Sequence, residues 1–225
     1  MRRRVIYVLA VFMAATLASL ALSERIASFL TTPVAHFGVK LYTFAPTEKF
    51  MAHLNIAVMT GVVLSAPFFI LQAGVFIWPA LLAGERRYVV FSLLAVPFLF
   101  LVGAAAAYSF FAPVVLGFFL SFGAGDGVEA MWGLGQYLSL LAGMMLATGL
   151  LLQMPLLLLA LFALGVTTPQ KIASLRPYIV FLIFLLAGIL TPPDVTSQIM
   201  LGAALYLLFE LTLIIGRSYW RGKHG

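Results

Sequence analysis

Apolar residues in this chain come in long runs, over residues 5–22, 54–76, 88–120, 133–164 and 178–215, with charged residues gathered almost entirely between them. A helix needs about 20 apolar residues to cross the hydrocarbon core of a bilayer, so each run predicts a membrane span. The last run is interrupted by Thr191-Pro192-Pro193-Asp194. Two adjacent prolines cannot continue a helix, and an aspartate is costly at the bilayer centre. That tetrapeptide reads as a turn at the membrane surface, dividing the run into spans 178–190 and 197–215. The expected fold is an all-α membrane protein, a single transmembrane domain over residues 1–225. Its six transmembrane helices fall at 5–22, 54–76, 88–120, 133–164, 178–190 and 197–215, the fifth and sixth being short. Thirteen residues of span five give roughly 20 Å of helix against a core of about 30 Å. Spans three and four are overlong, with Pro97, Pro113 and Pro155 as predicted kink points. The largest connection, residues 23–52, is punctuated by Pro33 and Pro46 and is expected to hold a short interfacial helix.

Composition agrees with this pattern. The 225 residues are 64% hydrophobic and 9% charged, where a soluble domain carries about 25% charged residues. Run 5–22 follows Arg2-Arg3-Arg4 as a signal peptide would. It is longer than a usual signal core, however, and Ser23-Glu24-Arg25 makes a poor cleavage site. It reads as a retained first span. The net charge of +6 sits at span ends, which makes it a topology signal rather than a nucleic-acid surface. Of the 13 basic residues, Arg25, Lys40 and Lys49 fall on one side and the other ten on the opposite side. The positive-inside rule then places both termini in the cytoplasm.

Most catalytic chemistry is excluded. There is no cysteine, and His36, His53 and His224 lie far apart without metal-ligand spacing. His-Glu-x-x-His, an intramembrane serine–histidine pair and phosphate-cradling glycine loops are all missing, so neither an enzyme nor a cofactor is expected. A small secondary transporter or channel scaffold remains as an alternative, but it should carry ionisable groups in mid-membrane. Only Glu210 and the neutral Gln153 qualify. Glu210 is close enough to the cytoplasmic end of span six to snorkel or pair with an arginine such as Arg217. Gln153 precedes Met154-Pro155 and fits a proline-freed carbonyl, a bond between helices, or a polar spot on a transport surface. Glu85 is the sole carboxylate in a loop assigned to the cytoplasm. It either pairs with Arg86 and Arg87 or offers two oxygens to an incoming guanidinium. Phe76 and Trp78 suit a membrane-interface belt or a peptide groove equally well.

Several segments together resemble the TatC family, the multi-spanning receptor subunit of the twin-arginine protein translocase. They are Phe76-Ile77-Trp78-Pro79-Ala80-Leu81 followed by Glu85-Arg86-Arg87, Ser65-Ala66-Pro67, Leu190-Thr191-Pro192-Pro193-Asp194-Val195 with Ser197-Gln198, and Pro46, Glu48 and Phe50. The resemblance implies a non-enzymatic receptor in a bacterial-type cytoplasmic (inner) membrane. Its expected partners are twin-arginine signal peptides of folded cargo, single-span partner subunits and the lipid bilayer, with no nucleic acid and no cofactor. Export would be driven by the proton-motive force. By position, Glu85 would accept the arginine pair, with Phe76, Pro79 and Arg86 shaping the site. Arg2 and Arg4 match the end of the family's Glu-Leu-Arg-x-Arg segment. The acid that usually precedes them is missing before Met1, so recognition is expected to rest more heavily on Glu85. Gln153 stands where relatives often carry glutamate. With Pro33, Pro46, Glu48, Phe50 and Asp194 it forms the set implied in partner binding or transport.

Overall fold

The computed structural model describes residues 2–45, 47–77, 86–122, 131–190 and 195–224; at 2–5, 73–77, 86–94, 122, 190, 196 and 221–224 it describes the backbone alone. Helices α1 (Arg2–Ala21) and α2 (Ser23–Ala35) meet at Leu22 with a bend of 81°. A two-residue strand, β1 (Leu41–Tyr42), leads into the long helix α3 (Glu48–Ile77). Then come α4 (Arg86–Ala106), a π-helical turn (Ala107–Phe111) and α5 (Ala112–Phe122). A second short strand, β2 (Trp132–Gly133), precedes α6 (Leu134–Leu151), α7 (Met154–Ala163), α8 (Pro169–Ser174), α9 (Arg176–Leu190) and α10 (Val195–His224).

The all-helical expectation holds. Four described stretches are long and apolar enough to cross a membrane: Glu48–Gln72, Ala95–Ser121, Leu134–Ala163 and Ser197–Trp220. The bent α1–α2 pair makes up to five, and Arg176–Ile189 is a shorter apolar helix. The connection expected to hold a short helix does so, as α2. One expectation needs correction. The sixth helix is not short: α10 continues through Arg217 to His224, because charge ends a hydrophobic run without ending a helix, arginine and lysine being good helix formers. The third run is one span, Ala95–Ser121, and near the expected kink point it passes through the π turn. There the Ala112 N–H reaches back to the Ala107 carbonyl, immediately before Pro113, which has no N–H to offer. The turn expected at residues 191–194, with Asp194, lies outside the described residues.

Pro155 breaks the fourth run as expected. The Gln153 N–H bonds the Leu150 carbonyl (3.0 Å) instead of continuing the helical ladder, and α7 restarts with Pro155 in its first turn, where a missing N–H costs nothing. The elbow after α7 is written in local signals. Gly165 adopts φ +66°, and the Gly165 and Val166 amides cap the Phe162 and Leu161 carbonyls. Thr168 then caps α8 by accepting from the Lys171 N–H, ahead of Pro169.

Packing centres on α3, α4 and α6, with α1 laid along α3 and α9 against α10. A Cβ added to Gly103 of α4 would stand 2.8 Å from the Cα of Gly149 on α6, and one on Gly149 would stand 2.8 Å from the buried Phe100 ring. Backbones therefore touch at this crossing, the small-residue packing that membrane helices use where lipid supplies no hydrophobic drive. Gly61 plays the same part on α3, where an added Cβ would fall 2.2 Å from the Thr16 hydroxyl of α1. At the end of the bundle where α3 and α6 begin, β1 and β2 pair in parallel, with Leu41 opposite Trp132 and Tyr42 opposite Gly133.

Candidate functional site

In a bilayer, backbone carbonyls left without a donor are expensive, because no water reaches them. Pro33 creates one such group. It sits buried inside α2, and having no N–H it leaves the Phe29 carbonyl without its helical partner. Tyr108, in the π turn, donates its hydroxyl to that carbonyl at 2.7 Å and stacks its ring on Phe29 at 4.6 Å. Tyr137 of α6 donates to the neighbouring Leu30 carbonyl, also at 2.7 Å. Two tyrosines thus hold α2 against the bundle. Sequence reasoning misses both, although a proline in a helix followed by hydroxyl-bearing rings in apolar spans is the available signal.

Glu48 opens α3 and turns its carboxylate back to accept from the backbone N–H groups of Phe44 and Ala45. The carboxylate also borders β2 and the start of α6, where a Cβ on Gly133 would be 3.5 Å from Glu48 Oε1. Phe50, two residues on, is exposed, and Pro46 lies outside the described residues. Glu48 therefore serves the chain's own loop while Phe50 faces outward.

Gln153 sits at the α6–α7 break. Its Nε2 donates to the Val96 carbonyl of α4 (3.2 Å) and to the Gly149 carbonyl of α6 (3.3 Å). Gly149 is the carbonyl that the Gln153 amide abandons in turning to Leu150. Its Oε1 is buried without a partner among the described residues. The side chain thus joins two helices, one of the expected roles, and it also satisfies a freed carbonyl, that of Gly149 rather than the Leu151 carbonyl that Pro155 leaves.

Glu210 pairs with an arginine, but not the one expected. Its Oε2 accepts from Arg176 of α9 at 2.7 Å, and its Oε1 accepts from Tyr206 one turn earlier at 3.0 Å. Arg217 lies seven residues further along α10, about 10 Å by helical rise, whereas Arg176 begins the helix packed alongside. Gln198 makes a second tie between the same helices, donating to the Phe184 carbonyl at 3.0 Å beside the side-chain-free Gly188.

Of the recognition set, Glu85 and Pro79 lie outside the described residues. Arg2 and Arg4 fall in the first turn of α1, Phe76 in the last turn of α3 and Arg86 at the start of α4. Among the described residues no cluster of histidine, cysteine, aspartate or glutamate could hold a metal ion.

Long apolar helices, glycine-mediated crossings and side chains spent on freed carbonyls define a polytopic α-helical membrane protein. A family model described as the Sec-independent protein translocase protein TatC matches residues 1–203, and the chain belongs to that family. The Sec-independent protein translocase protein TatC of Halothiobacillus neapolitanus is 35% identical over 176 residues, covering 78% of this chain and 48% of the relative. Its counterpart in Desulforapulum autotrophicum is 30% identical over 203 residues, 89% of this chain and 75% of the relative. The chain thus spans about half of the first and three quarters of the second. A crystal structure of the twin arginine translocase receptor TatC in DDM superposes with a TM-score of 0.82 at 29% identity, over 96% of each chain. The family is one of protein translocase components, a transport role rather than an enzymatic one.

Proposed function

We propose that this chain is the receptor and scaffold subunit of a twin-arginine translocase in a bacterial-type inner membrane. It binds signal peptides that carry paired arginines, associates with small single-span partner subunits, and supports export of folded proteins driven by the proton-motive force. The likeness to a solved twin-arginine translocase receptor over 96% of both chains carries this reading. The charge distribution supports six spans with both termini cytoplasmic, ten basic residues lying on one side against three on the other.

In this reading Glu85 accepts the arginine pair in a charge-assisted bond, and Phe76, Pro79, Arg86, Arg2 and Arg4 surround it. A guanidinium meeting a carboxylate side-on makes two parallel bonds, which an ammonium cannot reproduce. Such a bond contributes about 1.5–3 kcal/mol, roughly ten- to a hundredfold in affinity. Glu85→Ala is therefore expected to weaken binding of an Arg-Arg peptide to the purified protein by that factor while hardly changing binding of a Lys-Lys control. Unchanged Arg-Arg affinity and unchanged export would remove the carboxylate from recognition.

A further inference from the structure

One cavity has no part in the recognition reading. It is about 750 Å³, lies between α2, α3, α4 with its π turn, and α6, and contains neither Gln153 nor any member of the arginine-binding set. Its lining changes character along the helix axes. Near the end where α3 and α6 begin stand Arg25, Asn55 and Ser139. Asn55 lies about 10 Å and Ser139 about 8 Å along their helices from the first residue of each, at 1.5 Å per residue. Deeper, about 23 Å along α3, the wall is Val63 and Leu64, faced by Leu101 and Ala104 of α4. Leu64 and Leu101 keep about half of their surface exposed there.

We propose that this cavity binds one anionic glycerophospholipid, with an acyl chain in the apolar depth and the phosphate against Arg25. Arg25 is exposed and makes no ion pair among the described residues, and Glu24, its neighbour in sequence, is not part of the lining. Guanidinium and phosphate match in charge and in bidentate geometry. Asn55 and Ser139 fall where the ester and glycerol oxygens of such a lipid would lie, between phosphate and chain. The lining favours a lipid over an apolar helical peptide as occupant: a cation and two polar side chains stand at one end and the wall beyond them is apolar, the order of head group, ester and chain.

The test uses the full chain purified in a neutral detergent, with dioleoylphosphatidylglycerol and dioleoylphosphatidylcholine as probes. Native mass spectrometry counts the retained lipid. The wild type should hold one phosphatidylglycerol, about tenfold in preference to phosphatidylcholine. Arg25→Gln should erase the preference, Arg25→Lys should keep most of it, and Ala105→Trp, which sets an indole in the cavity where the chain would lie, should lose both lipids. Should the tryptophan variant fail to fold, the Arg25 pair decides alone, since that side chain is exposed. An undiminished preference in Arg25→Gln overturns the proposal, as does lipid retention by a folded Ala105→Trp. Equal competition by soluble glycerol 3-phosphate would reduce the site to an anion site without a chain. Displacement of the lipid from the wild type by an apolar helical peptide that Ala105→Trp no longer binds would make it a peptide groove. Either result would also overturn the assignment.

Discussion

Pro33 shows how one residue in this membrane protein obliges another. Removing an N–H from α2 leaves the Phe29 carbonyl to be satisfied from outside the helix, and Tyr108 supplies the hydroxyl from the π turn 79 residues away. Tyr108→Phe keeps the ring stacked on Phe29 and deletes only the donor, so the Phe29 carbonyl loses its partner. The expected cost is about 1–2 kcal/mol, read as a lower midpoint of thermal unfolding in detergent. Pro33→Ala in the same background should recover part of the loss, because it restores the helical N–H. An unchanged midpoint in Tyr108→Phe would mean that the carbonyl finds another donor. At this scale the sequence is legible only by halves. It marks Pro33, Gln153 and Glu210 as places where polar chemistry meets an apolar span, but not their partners. Tyr108 lies 79 residues from the Phe29 carbonyl that Pro33 frees, and Val96 and Arg176 lie 57 and 34 residues from Gln153 and Glu210, so only the packed bundle brings them into reach.

At the scale of elements, span positions follow from hydrophobic length, and helix ends follow from local chemistry. The fourth run is expected to end at 164, and α7 ends at Ala163 because Gly165 takes the left-handed conformation that closes a helix. The sixth run is expected to end at 215, yet α10 carries on for two more turns: Gly216 stays in the helix without a left-handed φ, packed where an added Cβ would stand 2.6 Å from the Phe162 ring, and no proline follows. The π turn could not be placed from the sequence, although Pro113 marks its neighbourhood. Helices α9 and α10 are joined near one end by Gln198 and Phe184 and near the other by Arg176 and Glu210. The Arg176 side chain is 40% exposed, so solvent and head groups screen the pair. A double-mutant cycle with Arg176→Gln and Glu210→Gln, followed by thermal unfolding, is expected to give a coupling energy of about 1 kcal/mol or less. Coupling near zero would make the contact incidental to the packing of these helices.

For the whole molecule, the described residues form a set of apolar helices in which Tyr108, Tyr137, Gln153 and Gln198 each bond a backbone carbonyl of another helix. The overall class was legible because runs of 20 or more apolar residues admit few other structures, and the family was legible because its motifs lie in order along the chain. The recognition segment, residues 78–85, lies outside the described residues, and its part in the proposed function is assigned to Glu85 by position in the sequence. The most direct measurement places a photoreactive group beside the arginine pair of a synthetic signal peptide and adds the peptide to inverted membrane vesicles containing the full chain. Labelling is expected within residues 76–87, from the cytoplasmic face, with Arg-Arg and not with Lys-Lys. Equal labelling by both peptides, or labelling only from the opposite face, would contradict the assignment of this chain as the twin-arginine receptor.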